Sequence, residues 1–290
     1  MTGKRLAGVC TDGAPAMTGK RKGAVALLEA HSGINVKQYH CVVHQEALCA
    51  KTMKFEHVMS VVTSTVNLIR ARGLRHRKFQ EYLREMEHEY TDIPYHTEVR
   101  WLSRGSVLSR FVGLKDDIIA FLEEEGQTIP ELEDEQWLLD LAFLTDISSH
   151  LNTLNTVLQG KDHLITDMVT FLTDISSHLN TLNTVLQGKD HLITDMVSAV
   201  YAFQEKLRLF KLQLESGNVA HFPTCEKMFP VGENRKSVTA TYASHVAALL
   251  AEFQGRFLKT ATYASHVAAL LAEFQGRFRN FGVPGKIPQF

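Results

Sequence analysis

The sequence predicts a mainly α protein in which a small α/β corner precedes a large helical mass built from long helices. Three observations carry this. The two β-prone runs both begin before residue 40. Apolar residues at helical spacing dominate the chain after them. Two stretches are repeated letter for letter, at periods that are whole numbers of heptads.

Leu6, Val9 and Cys10 form a short β-prone run that stops at Asp12-Gly13-Ala14-Pro15, so a buried strand is expected at about 5–11, ending in a sharp turn. Asp12 then stands at the carboxyl edge of a sheet. A carboxylate there either caps the turn or the following helix, or holds a metal ion. A helix is expected at about 19–31 and a second strand at about 36–43. Helices follow at about 44–71, 74–89, 104–125, 134–215 with breaks, and 239–279. Ile118, Ile119 and Leu122 have the spacing of one helical face, as do Tyr242, Val246, Leu249, Phe253 and Phe257. Pro94, Gly126, Pro130, Pro223 and the tail from Gly282 to Phe290 punctuate these segments. The domain reading is 1–50 for the corner, 51–220 for a helical domain and 221–290 for a helical C-terminal segment.

The 27 residues FLTDISSHLNTLNTVLQGKDHLITDMV occupy 143–169 and again 171–197, and TATYASHVAALLAEFQGRF occupies 239–257 and 260–278. Repeats of a solenoid normally differ from one another, so identical copies point to recent duplication or a gene-model error rather than a repeat architecture. The heptad periods of 28 and 21 let each insertion extend a helix without changing its phase. One seam runs Leu144, Leu151, Leu158 and onward to Leu214, beside a second from Ile147 to Phe210, broken at Lys161 and Lys189. It fits a core helix, and it also fits a self-associating coiled coil.

At 290 residues and 44% hydrophobic content the chain can bury a sizeable core. A net charge of −1 supplies no global attraction to nucleic acid, so any such contact must be local. Cys10, Cys41, Cys49 and Cys225 are scattered, as in proteins whose thiols stay reduced in the cytosol or nucleus. No apolar run is long enough to cross a bilayer, so a soluble intracellular protein is expected, with no small-molecule substrate evident.

Three stretches could carry chemistry. "YHCVVHQEALCAK" holds Cys41 and His44 as a Cys-x-x-His pair, but a second tight pair for a tetrahedral zinc site is missing; the plainer reading is a strand thiol and a helix-start histidine. "EVRWLSRGSVLSR" sets Arg100, Trp101 and Arg104 in a loop before a helix, able to stack on an unpaired base and meet phosphate, or with Trp101 serving as a core anchor. "RARGLRHRK" brings Arg70, Arg72, Arg75, Arg77 and Lys78 together as a phosphate-binding candidate; the alternative is a solvated helix junction neutralised by Glu81, Glu85, Glu87 and Glu89. The acidic run over 123–135 would repel a nucleic-acid backbone and is expected to face away from one.

Together "CTDGAPAM", "HCVVHQEALCAK", "RWLSRG" and "LNTLNTVLQGK", in this order, resemble hAT-superfamily transposases and their domesticated, transposon-derived vertebrate descendants, over roughly residues 5–280. The resemblance implies an RNase H-like sheet interrupted by a helical insertion, nuclear location, and DNA or protein partners; self-association through helices rests on the heptad seam instead. It places the family's second catalytic acid on Asp12, its Cys-x-x-His motif on Cys41 and His44, and its base-stacking pair on Arg100 and Trp101. It also implies two Mg²⁺ or Mn²⁺ ions if the acidic triad is complete. Residues 1–11 contain no Asp or Glu, and nothing after Phe253 matches the family's Ser-x-x-x-Glu-Arg segment. The expectation is therefore a catalytically inactive remnant, a fragment with duplications, that uses no cofactor. The alternative is a fragment of an active DNA transposase.

Overall fold

The computed structural model describes residues 8–33, 35–86, 89–93, 101–159, 193–229 and 235–279. These are mainly helical, as the sequence predicts, with one parallel pair of strands. The chain divides into two compact units, one formed by 1–45, 158–202 and 253–290 and the other by 46–157 and 203–252.

The first unit contains β1 (Gly8–Thr11), α1 (Pro15–Thr18), α2 (Ala24–Ser32) and β2 (Lys37–His40). β1 and β2 pair in parallel, with Val9 opposite Gln38, Cys10 opposite Tyr39 and Thr11 opposite His40. The connection is helical, as parallel pairing requires, because a tight turn cannot return the chain in the same direction. Asp12 and Gly13 make the turn out of β1. Gly13 has φ +78°, and a Cβ there would lie 3.1 Å from the His40 ring, so glycine is needed on both counts. The helix expected from residue 19 instead begins at Ala24, preceded by the single turn α1, because Pro15 starts a helix that Gly19 ends. Val25 and Val36 are the buried apolar side chains of this corner, and Thr11 of β1 is buried as well.

The second unit is all helical. α3 (Val42–Ala50), at whose fourth residue the boundary falls, is followed by α4 (Glu56–Arg70), α5 (Gly73–Glu85), α6 (Trp101–Gly113) and α7 (Lys115–Glu124). α8 (Glu135–Gln159), α9 (Ile193–Glu215), α10 (Pro223–Met228) and α11 (Arg235–Arg279) complete the α-helices, with α8 from Leu158, α9 up to Ala202 and α11 from Phe253 counted in the first unit. The single helix expected over 44–71 is two, because Thr52 turns its N–H and hydroxyl back on the Cys49 carbonyl and the chain buries Met53 and Phe55 between the helices. The helix expected over 104–125 starts earlier, at Trp101, and breaks at Leu114, whose side chain is buried. Trp101 and Arg104 therefore belong to α6 rather than to a loop before it.

α4 buries Val58, Val62, Thr65, Val66 and Ile69, one face at helical spacing. α8 is more deeply placed: every residue from Leu141 to Ser148 is buried, so it is enclosed on all sides rather than on one stripe. Around it gather Phe143 and Tyr242, stacked at 4.3 Å and nearly coplanar, with Phe222 and Phe55 each within 6 Å of the Phe143 ring. Buried Asp146 on α8 accepts the Thr224 and Cys225 N–H groups at 2.9 and 3.0 Å, capping α10 from across the core. The Tyr242 hydroxyl donates to Asp140 at 2.8 Å.

The described seam positions Leu144, Ile147, Leu151, Leu154 and Leu158 on α8, and Met196, Val200, Phe203, Leu207, Phe210 and Leu214 on α9, are all buried within the chain. The remainder of that seam, including Lys161 and Lys189, lies outside the described residues. The second duplication falls inside α11, an unbroken helix, and Tyr242, Val246, Leu249, Phe253 and Phe257 of its first copy are buried at the predicted spacing.

Candidate functional site

At the corner, Asp12 is exposed, and its Oδ1 accepts the Ala14 N–H at 2.9 Å, holding the turn out of β1. Thr11 Oγ1 accepts the Gly13 N–H at 3.2 Å in the same turn. Among the described residues no group of three or more His, Cys, Asp or Glu side chains converges to hold a metal ion. Asp12 is not part of such a group among those residues.

Cys41 lies between β2 and α3. Its N–H donates to the Thr11 carbonyl at 2.8 Å, extending the parallel ladder by one bond, and its carbonyl accepts the Gln45 N–H at 2.9 Å, opening α3. The thiol is half-buried. The neighbouring Cys10 thiol first, and then the His44 and Val43 N–H groups at the start of α3, lower its pKa despite burial. Cys10 moves in the opposite direction, raised by the neighbouring Cys41 and by burial. His44, in the first turn of α3, stacks 5.5 Å from His40, whose buried Nε2 has no hydrogen-bond partner among the described residues. The Cys-x-x-His motif is therefore a strand-to-helix junction.

The basic stretch is largely neutralised from within. Arg70 donates to Asp92 Oδ2 at 2.9 Å and also reaches the Ile93 carbonyl, while His76 pairs with the other Asp92 oxygen at 2.8 Å. Arg75 and Lys78 meet the two oxygens of Glu125 at 3.4 and 2.8 Å, and Arg75 also donates to the Leu68 carbonyl at 3.1 Å. Lys78 first, then Arg75, hold the Glu125 carboxyl below the usual carboxylate range. Asp92 and Glu125, rather than the local glutamates 81–89, are the partners seen here. Glu125, from the acidic run, is thus folded against the basic stretch. Arg77 donates to the Gly73 carbonyl at 3.2 Å and remains exposed, as does Arg72. Arg100 and the side chains of Trp101 and Arg104 lie outside the described residues.

A second group was not singled out from sequence. Glu46 on α3 is fully buried, and the Asn155 amide on α8 donates to its Oε2 at 2.6 Å. Burial raises the Glu46 carboxyl to about 7, and the Asn155 bond only partly offsets it. The other Glu46 oxygen, together with Ser148 Oγ and Asn152 Oδ1, is buried without a hydrogen-bond partner among the described residues. Gly105 on α6 packs so closely on the Asn152 amide that a methyl group in its place would overlap it. "HQEAL", "RWLSRG" and "LNTLN" thus meet in one core. The signal in the sequence was the Asn-x-x-Asn spacing on an apolar helix, which puts both amides on one buried face.

The FAM200/GTF2IRD2 helical domain model matches residues 40–170 and 168–215, more than half of the chain. The chain belongs to the FAM200/GTF2IRD2-like family. Transposon-derived descent, expected from the motifs, fits that assignment. FAM200/GTF2IRD2-like relatives include the general transcription factor II-I repeat domain-containing protein 2 of Bos taurus, 34% identical over 257 residues, and that of Mus musculus, 35% identical over the same length. Each alignment covers 87% of this chain and 24% of the relative, so this family member spans about a quarter of the length of the curated proteins it matches. No solved structure matches it.

Proposed function

We propose that this chain is a catalytically inactive, domesticated hAT-transposase-like protein that acts in the nucleus as a binding factor, with protein partners ahead of DNA. One observation carries the reading. The family motifs at Glu46, Gly105, Asn152 and Asn155 interlock as core packing, which makes the motif-bearing helices a scaffold. The parallel β1–β2 pair with its helical crossover supports descent from an RNase H-like corner. The relatives' name, a transcription factor repeat protein, supports the nuclear setting. Protein partners come first because Arg70, Arg75 and Lys78 are already paired with acids of the same chain. DNA contact then falls to Arg72, Arg77, Arg100, Trp101 and Arg104.

Fluorescence anisotropy with duplex and single-stranded oligonucleotides at physiological salt tests the order of partners. The reading predicts only weak, strongly salt-dependent binding, in the non-specific range of about 10⁻⁴ to 10⁻⁶ M. Tight binding lost in Arg100→Ala/Trp101→Ala would make DNA the principal partner.

A further inference from the structure

We propose that Cys10 and Cys41 form a peroxide-sensitive dithiol, in which Cys41 is the attacking thiol and Cys10 the resolving one. The placement follows from the strands. Cys10 is opposite Tyr39 in the parallel pair, and side chains alternate along a strand, so Cys41, two residues beyond Tyr39 on the extended ladder, projects on the same face as Cys10. The two thiols are neighbours there, near enough that each shifts the other's ionisation. Both are half-buried, open enough for a small oxidant, whereas Cys49 and Cys225 are fully buried.

The sulfurs also differ in character. Cys41 stands at the N-terminus of α3, where its carbonyl accepts the Gln45 N–H, a placement that favours the thiolate, the form that attacks peroxides. In the first step the Cys41 thiolate attacks one oxygen of hydrogen peroxide. An S–O bond forms, the O–O bond breaks, and the departing hydroxide takes up a proton to leave as water, so Cys41 becomes a sulfenic acid. In the second, the Cys10 sulfur attacks Cys41, the S–S bond forms, the S–O bond breaks, and hydroxide leaves with the Cys10 proton as a second water. Sulfur loses two electrons in all and the peroxide gains them. The product ties the end of β1 to the start of α3, and a dithiol reductant reverses it. Such transient, sensing disulfides are the kind found in reducing compartments.

The test uses the full chain. Native iodoacetamide labelling followed by peptide mapping should modify Cys41 well below the pH at which an ordinary thiol reacts, with Cys49 and Cys225 protected. Stoichiometric hydrogen peroxide should give a Cys10–Cys41 disulfide that dithiothreitol reverses. In Cys10→Ala, checked for retained helicity by circular dichroism, oxidation should stop at a sulfenic acid trapped by dimedone on Cys41. Labelling of wild-type Cys41 with the pH profile of an ordinary thiol would overturn the proposal. So would peroxide treatment of wild type that yields no Cys10–Cys41 link.

Discussion

Glu46 is the residue at which sequence, packing and solution behaviour meet. Its carboxyl is raised from 4.5 to about 7 by burial, so the folded chain holds a proton there that the unfolded chain releases. The associated stabilisation is fully present below about 4.5 and is lost as pH rises through about 7. Wild type is therefore expected to lose thermal stability between about pH 5 and about pH 8 relative to Glu46→Gln, by at most about 3 kcal/mol. Parallel melting curves that keep the same separation at every pH would contradict this. Gly105 offers a second check. Gly105→Ala pushes a methyl group onto the Asn152 amide and is expected to cost about 1–2 kcal/mol. Asn152→Ala in the same chain should recover most of that loss, and additive effects in the double-mutant cycle would show that the two residues do not interact.

The elements were legible in the sequence where periodicity alone decides them. α8, α9 and α11 bury the predicted faces, and the duplication in α11 keeps helical phase because 21 residues are three heptads. The break at Thr52–Phe55 was not legible, since it carries no Gly or Pro, and Gly113 just before Leu114 is a weak signal inside an apolar helical pattern; burial of Met53, Phe55 and Leu114 decides both. Nor could spacing show that Glu125 reaches Arg75 across 50 residues of sequence. The turn at Asp12-Gly13 and the junction at Cys41 were visible locally, while Glu46 and Asn155, 109 positions apart, form a pair only in the fold. At this scale the two-stranded corner is the weakest element, because a parallel pair of four-residue strands has little ladder to protect. Native-state amide exchange is expected to be fastest in β1 and β2 and slowest in α4 and α8. Equal protection across residues 8–50 and the helical unit would refute it.

For the whole molecule, the described ends of the heptad seam, on α8 and α9, serve the interior of one chain. Every described seam position on α8 and α9 is buried without a second copy, so the chain is expected to be a monomer by light scattering. Leu207→Lys places a charge at a site with 0% exposure, and should melt the fold rather than split a dimer. A concentration-dependent dimer that Leu207→Lys converts to a helical monomer would contradict this. The same interior use of motif residues underlies the claim that the chain binds without catalysing. Its most direct test is divalent-dependent nicking of supercoiled plasmid by the full chain and by Asp12→Ala, with Mg²⁺ and with Mn²⁺. The account predicts no nicking above background by either protein. Nicking by wild type that disappears in Asp12→Ala would contradict it.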